Sequence, residues 1–596
     1  MLKRLWSPTG LLRQSVEFHA GLNLIVGRYS GNKEERGING IGKSSAVRLI
    51  DYLLVSDTAE RRFADAKYDF LREEKHEICL DLEVSGVSVR LRREFADGQH
   101  IFMQRGHEDE YGYRKDEAKQ ILGTLFFPSS EERQLPGNRY RSLMPFFIKD
   151  DLNNLKRYDP VGFLTHGGAN KRELTTLNLF LLGLPNQPLI VLSEKRDRLE
   201  EKRKQREAIV QQVEKFTGKS LGELRTDLAT REKEVAALEA SLKDFNLLDD
   251  FKKVSSVIAE LDIKISTLRQ QVDRADRQVA KLRHFTSTTR EIDVEDVAEQ
   301  YLLVSRALGS AVKRQLDEVI AFRESLAAER LRFHGKRMRE LDEARKGALG
   351  ELTDLEAQRA GLLRTVEGAG ATTSLREAFE RFAERKVQVE RVAQGVADVS
   401  DMDRQLTDLG FDVDTARRDA VQAINGVETL IRSIRELFVE IVEKAISLTT
   451  DGEREGAYLD IAAKPSGSRN QSPVSIEVHI PRADALGHAR LRLVAYDLTV
   501  FFHAVDMRLP LPRFLVHDGA FHGISRRTVV RALNYIYGRS QQDTTFQYIA
   551  TFNEDELAVT ADEQIRDGTF DFDLNDVTVL TLGDSESEML FRKAFA

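Results

Sequence analysis

Cysteine is almost missing from this sequence: Cys79 is the one example in 596 residues. No internal disulfide and no cysteine-built metal cluster can form, which suits a reducing compartment. The surrounding Glu77-Ile78-Cys79-Leu80 reads as a buried strand, so the thiol is expected to pack. No run of about 20 apolar residues occurs, so no membrane span is expected. The first residues lack an apolar stretch with a cleavage site, so no signal peptide is read and a cytoplasmic location is expected. An excess of positive charge is also missing. Lys and Arg number 89 against 97 Asp and Glu, for a net charge of −8. A dedicated duplex-binding module is usually basic, so any nucleic-acid contact must come from a local patch. No zinc motif, catalytic triad or nuclease metal cluster stands out.

What is present is a highly charged chain (31%) with enough apolar residues (41%) for a real core, and its length suggests roughly two to four structural units. Three regions differ in character. Residues 1–188 read as mixed α/β. Phe18–Gly27 is a short apolar run ending in glycine, expected to be a buried strand. Lys43–Leu54 has helical spacing, and Ile78–Val84 and Val87–Phe95 alternate around Ser85-Gly86 like a hairpin. Phe146–Ile148 reads as a short strand followed by a polar run.

In residues 189–447 glycine and proline become scarce and a heptad pattern appears. Leu221, Leu224, Leu228, Val235, Leu238 and Leu242 keep the 3-4 spacing, with Arg231 in the one polar position. Val254, Ile258, Leu261, Ile265, Leu268, Val272, Ala275, Val279 and Leu282 continue it without a skip. The pattern weakens near 285–300, which predicts the turn of an antiparallel coiled-coil hairpin. Breaks at Thr217–Ser220 and Gly368–Ser374 lie at similar distances from that turn and could face each other as an elbow. Residues 448–596 return to α/β, with strands expected at Val474–Ile480, Phe514–Asp518, Phe546–Phe552 and Val577–Leu582, and a helix at Arg490–Val505. Neither globular end looks complete alone, so the two are expected to combine into one head.

Gly37-Ile38-Asn39-Gly40-Ile41-Gly42-Lys43-Ser44 fits the phosphate-binding pattern G-x-x-x-x-G-K-[ST] between a strand and a helix. The glycines let backbone amides surround phosphate oxygens. Lys43 can neutralise the β- and γ-phosphates, Ser44 can ligate Mg²⁺, and the helix that follows points its first amides at the anion. ATP and Mg²⁺ are therefore the expected ligands. One departure is the polar insert Arg28–Arg36 between the strand and the motif. The acidic partner for Mg²⁺ is expected at Asp518, after the apolar run Phe514–His517. The next residue is Gly519, where many such ATPases place a water-orienting glutamate. His522, His517 or a residue from a second subunit can substitute, or hydrolysis can be slow.

Three weaker features complete the inventory. Leu486-Gly487-His488 opens a helix and can receive phosphate from a second molecule, or be a plain cap. Lys149 and Asp150 can sense nucleotide or metal, or belong to a simple loop. Lys195, Arg196, Arg198, Lys202, Arg203, Lys204 and Arg206 form the best basic patch, interleaved with Glu200, Glu201 and Glu207, and so fit a DNA contact or a solvated helix face equally.

Taken together, Gly21–Gly27, Asn39-Gly40-Ile41-Gly42-Lys43-Ser44-Ser45, the inserted heptads and Phe514–Asp518 resemble the SMC-like branch of ABC-type ATPases, RecN-like proteins included. More narrowly, Phe146–Asp150, Phe514–Gly519, Phe546–Ile549 and Leu590-Phe591 resemble the coiled-coil ATPases of bacterial multi-component anti-phage defence operons. The resemblance implies an α/β ABC-type P-loop head built from N- and C-terminal segments with an inserted antiparallel coiled coil. It implies a homodimer in which two heads sandwich ATP, with Gly487 closing over the partner's nucleotide, and DNA and effector or accessory subunits as partners. The signature L-S-G-G-Q is absent, and Thr551-Phe552-Asn553 stands where a switch histidine is usual. The expected functions are an ATP-dependent DNA-sensing or DNA-manipulating ATPase in defence, a RecN-like repair protein, or an ATP-switched scaffold with little hydrolysis.

Overall fold

The computed structural model describes the chain except residues 29–40, 136–138, 151–157, 170, 245–248, 289–309, 368–372, 447–455, 465–470, 482–485, 559–567 and 593–596. It divides into two compact units. One is Met1–Lys202 with Leu406–Ala596; the other is Arg203–Gln405.

The strands of the first unit are, in chain order, β1 (Leu2–Trp6), β2 (Val16–Glu17), β3 (Gly21–Arg28), β4 (Glu77–Val84), β5 (Val87–Glu94), β6 (His100–Arg105), β7 (Tyr111–Arg114), β8 (Ile148–Lys149), β9 (Tyr458–Ala463), β10 (Val474–His479), β11 (Phe514–His517), β12 (Gln547–Asn553) and β13 (Thr578–Gly583). An antiparallel sheet has the order β2-β1-β4-β5-β6-β7, and β9 and β10 form a separate ribbon. The expected hairpin is β4–β5, with Val84 opposite Val87. Its two turn residues, Ser85 and Gly86, both take positive φ, the turn whose twist matches the flanking strands.

The sheet that positions the site is parallel throughout, in the order β13-β3-β12-β11-β8. Strands β3 and β8 come from the N-terminal region and the other three from the C-terminal region. All four residues of β11 are buried, as are the first six of β12 and seven of eight in β3. That continuous burial is what a parallel sheet covered on both faces requires. Phe126 and Phe147 meet Phe514 edge-on. Phe501 and Phe502, on the helix Leu486–Asp506, meet Phe546 likewise. The buried amide of Gln547 joins the two large sheets: it accepts from the Leu2 N–H at 2.6 Å and donates to the Leu2 carbonyl at 2.7 Å.

One strand expectation fails. Phe146 and Phe147 end a helix, Tyr140–Phe147, and only Ile148 and Lys149 pair with β11. The apolar residues Tyr140, Leu143, Met144 and Phe147 fall on one face at helical spacing and are buried, which a three-residue reading of Phe146–Ile148 cannot reveal.

The second unit is helical. Within it lie parts or all of Gln187–Thr217, Leu221–Asp244, Asp249–Thr288, Ser310–Glu367 and Thr373–Asn425. The heptad positions Leu224, Ile258, Leu261, Ile265 and Ala275 are buried, while Ile263, off the seam, is 62% exposed. Ion pairs Arg359–Asp262, Arg269–Glu356 and Arg345–Asp276 run in opposite directions along Asp249–Thr288 and Ser310–Glu367, so these helices are antiparallel. Asp249–Thr288 also reaches Thr373–Asn425, through Ser266–Glu390 and Asp273–Arg391. It therefore contacts two helices that are consecutive in sequence; the break expected at Gly368–Ser374 falls largely outside the described residues. The expected turn at 285–300 falls largely outside the described residues.

Candidate functional site

The carboxyl edge of a parallel sheet is where the strands deliver their following residues into one crevice, the usual ligand position in such folds. Here β3, β8, β11 and β12 end there, and they deliver Arg28, Asp150, Asp518 and Asn553. The helix after β3 is Lys43–Leu53. Gly42 precedes it with φ +112°, and a Cβ on Gly42 would stand 2.5 Å from the Cβ of Leu590. Both the backbone and the space therefore demand glycine. The first turn of this helix carries no acidic residue, and its N-cap, Gly42, has no side chain to cap it. Ile41 and Gly42 are buried, Lys43 and Ser44 half-buried, and Ser45 buried. Gly37, Asn39 and Gly40 lie outside the described residues.

Lys43 Nζ donates to the side-chain oxygen of Asn553. Burial lowers the Lys43 pKa, opposed by the charges of Glu556, Asp518 and Asp555. Asp518, 4% exposed, follows β11 as expected. Its N–H donates to the Lys149 carbonyl at 2.8 Å, extending the ladder. Its carboxylate accepts from the Thr551 hydroxyl at 2.6 Å, and the same hydroxyl accepts from the Gly519 N–H at 3.1 Å. Asp150 pairs with Arg48 at 3.1 Å. Burial raises the Asp150 pKa to about 6 against the pull of Arg48, and the charge of Asp518 adds to the rise. Lys43, Asp518 and Asp150 are thus electrostatically coupled.

Lys149 and His517 stand elsewhere. Lys149 is a strand residue with a fully buried ammonium, which donates to Asp497 at 3.0 Å and to the Phe146 carbonyl at 3.1 Å. It is no loop residue. His517 Nε2 meets the other oxygen of Asp497 at 3.1 Å, and its Nδ1 meets the Tyr548 hydroxyl at 2.9 Å. Burial lowers the pKa of both groups. Alternation along β11 explains the split: neighbouring residues face opposite ways, so His517 points into the interior cluster and Asp518 leaves the strand.

His522 hydrogen-bonds Glu556 at 2.8 Å, and Arg490 donates to its carbonyl. Gly487 opens the helix Leu486–Asp506, and a Cβ there would meet the Gly523 carbonyl at 3.8 Å. In the basic patch, Lys195 pairs with Asp412, Arg206 pairs with Asp403, and Arg196 donates to the Gln471 carbonyl. Sequence reasoning missed Glu556, and it noted Thr551 and Asn553 only as standing where a switch histidine is usual. The one signal for Glu556 is the polar tail Asn553-Glu554-Asp555-Glu556 after an apolar strand.

Among the described residues no group of three or more His, Cys, Asp or Glu side chains could hold a metal by itself. The oxygen donors that the structure brings together at the sheet edge are the carboxylates of Asp518 and Asp150, with the Thr551 hydroxyl on Asp518. Oxygen donors this few suit Mg²⁺, which takes one or two carboxylates and fills its sphere with phosphate oxygens and water.

A family profile described as "Uncharacterised protein conserved in bacteria (DUF2326)" matches residues 441–595. No curated protein matches the chain. Among solved structures, the Smc head domain with a coiled coil and joint from Pyrococcus yayanosii is similar at 13% identity, covering 99% of this chain and 96% of that one, with a TM-score of 0.37. The Smc head domain with an extended coiled coil bound to the C-terminal domain of ScpA, from Pyrococcus furiosus, is similar at 11% identity, covering 93% and 90%, with a TM-score of 0.30. Among the described residues no helix is long and apolar enough to cross a membrane.

Proposed function

We propose that the chain is an ABC-type P-loop ATPase that binds ATP and Mg²⁺ at the carboxyl edge of the parallel sheet. The observation that carries this reading is the convergence there of Lys43 with Asp518 and Asn553, from strands far apart in sequence. Lys43 would neutralise phosphate, and Ser44 and Asp518 would hold the metal. The finer reading is a homodimer joined through ATP-bound heads, with Gly487 and the exposed Leu486 facing the partner's nucleotide. It would sense or handle DNA beside accessory or effector subunits, in bacterial anti-phage defence. The ATP-switched scaffold is the second reading, favoured by Gly519.

The test is ATP affinity with and without Mg²⁺ in the wild type and in Lys43→Ala. The variant is expected to lose at least tenfold in affinity, and equal binding refutes the proposal. Turnover near background with ATP-dependent dimerisation intact would select the scaffold; robust DNA-stimulated hydrolysis would reject it.

A further inference from the structure

Position 519 is occupied by glycine and does not supply the acid that is missing after Asp518. Gly519 has φ +76°, a left-handed backbone that side chains adopt only under strain, and its N–H is tied to Thr551 at 3.1 Å. A glutamate there would carry the strain of that backbone. The neighbouring strand supplies a carboxylate instead. Strand β12 ends at Asn553, and a one-turn helix follows, Glu554–Leu557. The side chain of Glu556 folds back to accept the Asn553 N–H at 2.7 Å, and the Asn553 side chain is the one that accepts from Lys43 Nζ. Of the acids acting on Lys43, Glu556 acts most strongly, ahead of Asp518 and Asp555. Its second oxygen, Oε1, meets His522 Nδ1 at 2.8 Å. His522 lies on the loop that leaves Asp518, and Arg490 fixes its carbonyl. Two loops from adjacent strands thus meet in one carboxylate–imidazole pair beside Lys43. The His522 side chain is 54% exposed and that of Glu556 is 20% exposed, so water reaches the pair.

We propose that Glu556 is the group that activates the attacking water in ATP hydrolysis, with His522 as its positioning residue. The inference rests on the ATPase reading. A water oxygen forms a bond to the γ-phosphorus, and the water proton passes to the Glu556 carboxylate. The bond between the γ-phosphorus and the bridging oxygen breaks, and its electron pair leaves with ADP. Capping by Asn553 holds one carboxylate oxygen and His522 the other, so the carboxylate has a fixed orientation toward the phosphate held by Lys43. Each oxygen keeps a lone pair for water.

The full chain is tested as wild type, Glu556→Gln, His522→Ala, His522→Gln and Lys43→Ala, by Mg-ATP affinity, turnover and ATP-dependent association on a sizing column. Gln at 556 can still cap Asn553, so folding is preserved. Glu556→Gln is expected to bind ATP as the wild type does and to turn over about 10²–10⁴-fold more slowly, the usual share of a general base. It should also remain associated in ATP after the wild type has separated. His522→Ala should lower kcat with KM unchanged, and His522→Gln, which can still donate to Glu556, should recover part of the loss. Turnover of Glu556→Gln within twofold of wild type overturns the assignment. So does a joint loss of affinity and turnover, which leaves Glu556 only a capping role. A wild type that binds ATP without hydrolysing it overturns the assignment and spares the ATP reading. Equal ATP binding by wild type and Lys43→Ala overturns that reading instead.

Discussion

The backbone N–H of Leu590 donates to the carbonyl of Ile41 at 3.2 Å, one residue before the left-handed Gly42. The Leu590 carbonyl in turn accepts from the Arg13 N–H at 3.1 Å. A segment near the C-terminus therefore packs against Ile41 and Gly42, at the start of the helix Lys43–Leu53. Gly42→Ala meets two obstacles, a positive φ costing about 1–2 kcal/mol and the Leu590 side chain. Gly42→Ala is expected to lower both the melting temperature and ATP affinity, and Leu590→Ala in the same chain should not return the steric part, because the colliding atom is the Cβ that alanine keeps. Thermal melts with and without ATP check this.

Asp150 makes the ATP-free protein sensitive to pH. Its folded pKa, about 6, lies above its ordinary value of 3.8. Its contribution therefore favours the fold most below 3.8 and is lost as pH rises through about 6. At about 1.4 kcal/mol per unit, the penalty approaches about 3 kcal/mol above that range. Asp150→Asn should be more stable than wild type, by a margin larger at pH 8 than at pH 5. Urea denaturation at the two pH values measures the margin, and a margin that shrinks with pH contradicts it.

Lys149 and Asp497 form a buried pair with side chains 1% and 0% exposed. Removing one partner strands the other charge, at a cost of about 3–5 kcal/mol. Lys149→Ala is expected to destabilise by that amount. Combining it with Asp497→Asn should recover a substantial part, because the carboxylate no longer lacks its cation. A double-mutant cycle in urea gives the coupling, and additive losses would contradict it.

In the helical unit, Leu261 is buried at 7% exposure and Ile263 is 62% exposed. Leu261→Ala should cost about 2–3 kcal/mol, and Ile263→Ala should be neutral within about 0.5 kcal/mol. Hydrogen exchange in the full chain, followed over residues 256–279, separates the two. Similar exchange in both variants would refute the seam.

What the sequence made legible is what short-range chemistry writes. Gly42 through Ser44 announced a helix start because glycine freedom and a lysine recur there. Ile258, Leu261 and Ile265 announced a seam through their period. Phe514–Asp518 announced a buried strand with an acid at its end. Other features depend on distant partners. Asn553 and Glu556 become interesting only when β12 lies beside β3, five hundred positions away, and brings them to Lys43. Leu590 explains Gly42 only in space. Phe146 and Phe147 were misread because three apolar residues fit either period; the residues from Tyr140 onward decide it. That Asp249–Thr288 meets both Ser310–Glu367 and Thr373–Asn425 is hidden because a heptad records that a helix has a partner without naming which one.

The placement of β3 between β13 and β12 has a consequence for biosynthesis. Its edges are covered by β12 and β13, which emerge from the ribosome only after the whole helical unit. At about 5–20 residues per second, the stretch from Arg28 to Thr578 takes roughly half a minute to two minutes. Until β12 emerges, β3 has no parallel sheet to join. Nascent chains stalled before Gln547 are therefore expected to engage chaperones through Gly21–Arg28. Two separately expressed pieces cut within the helical unit should complement each other, because the sheet already forms from both ends of the chain.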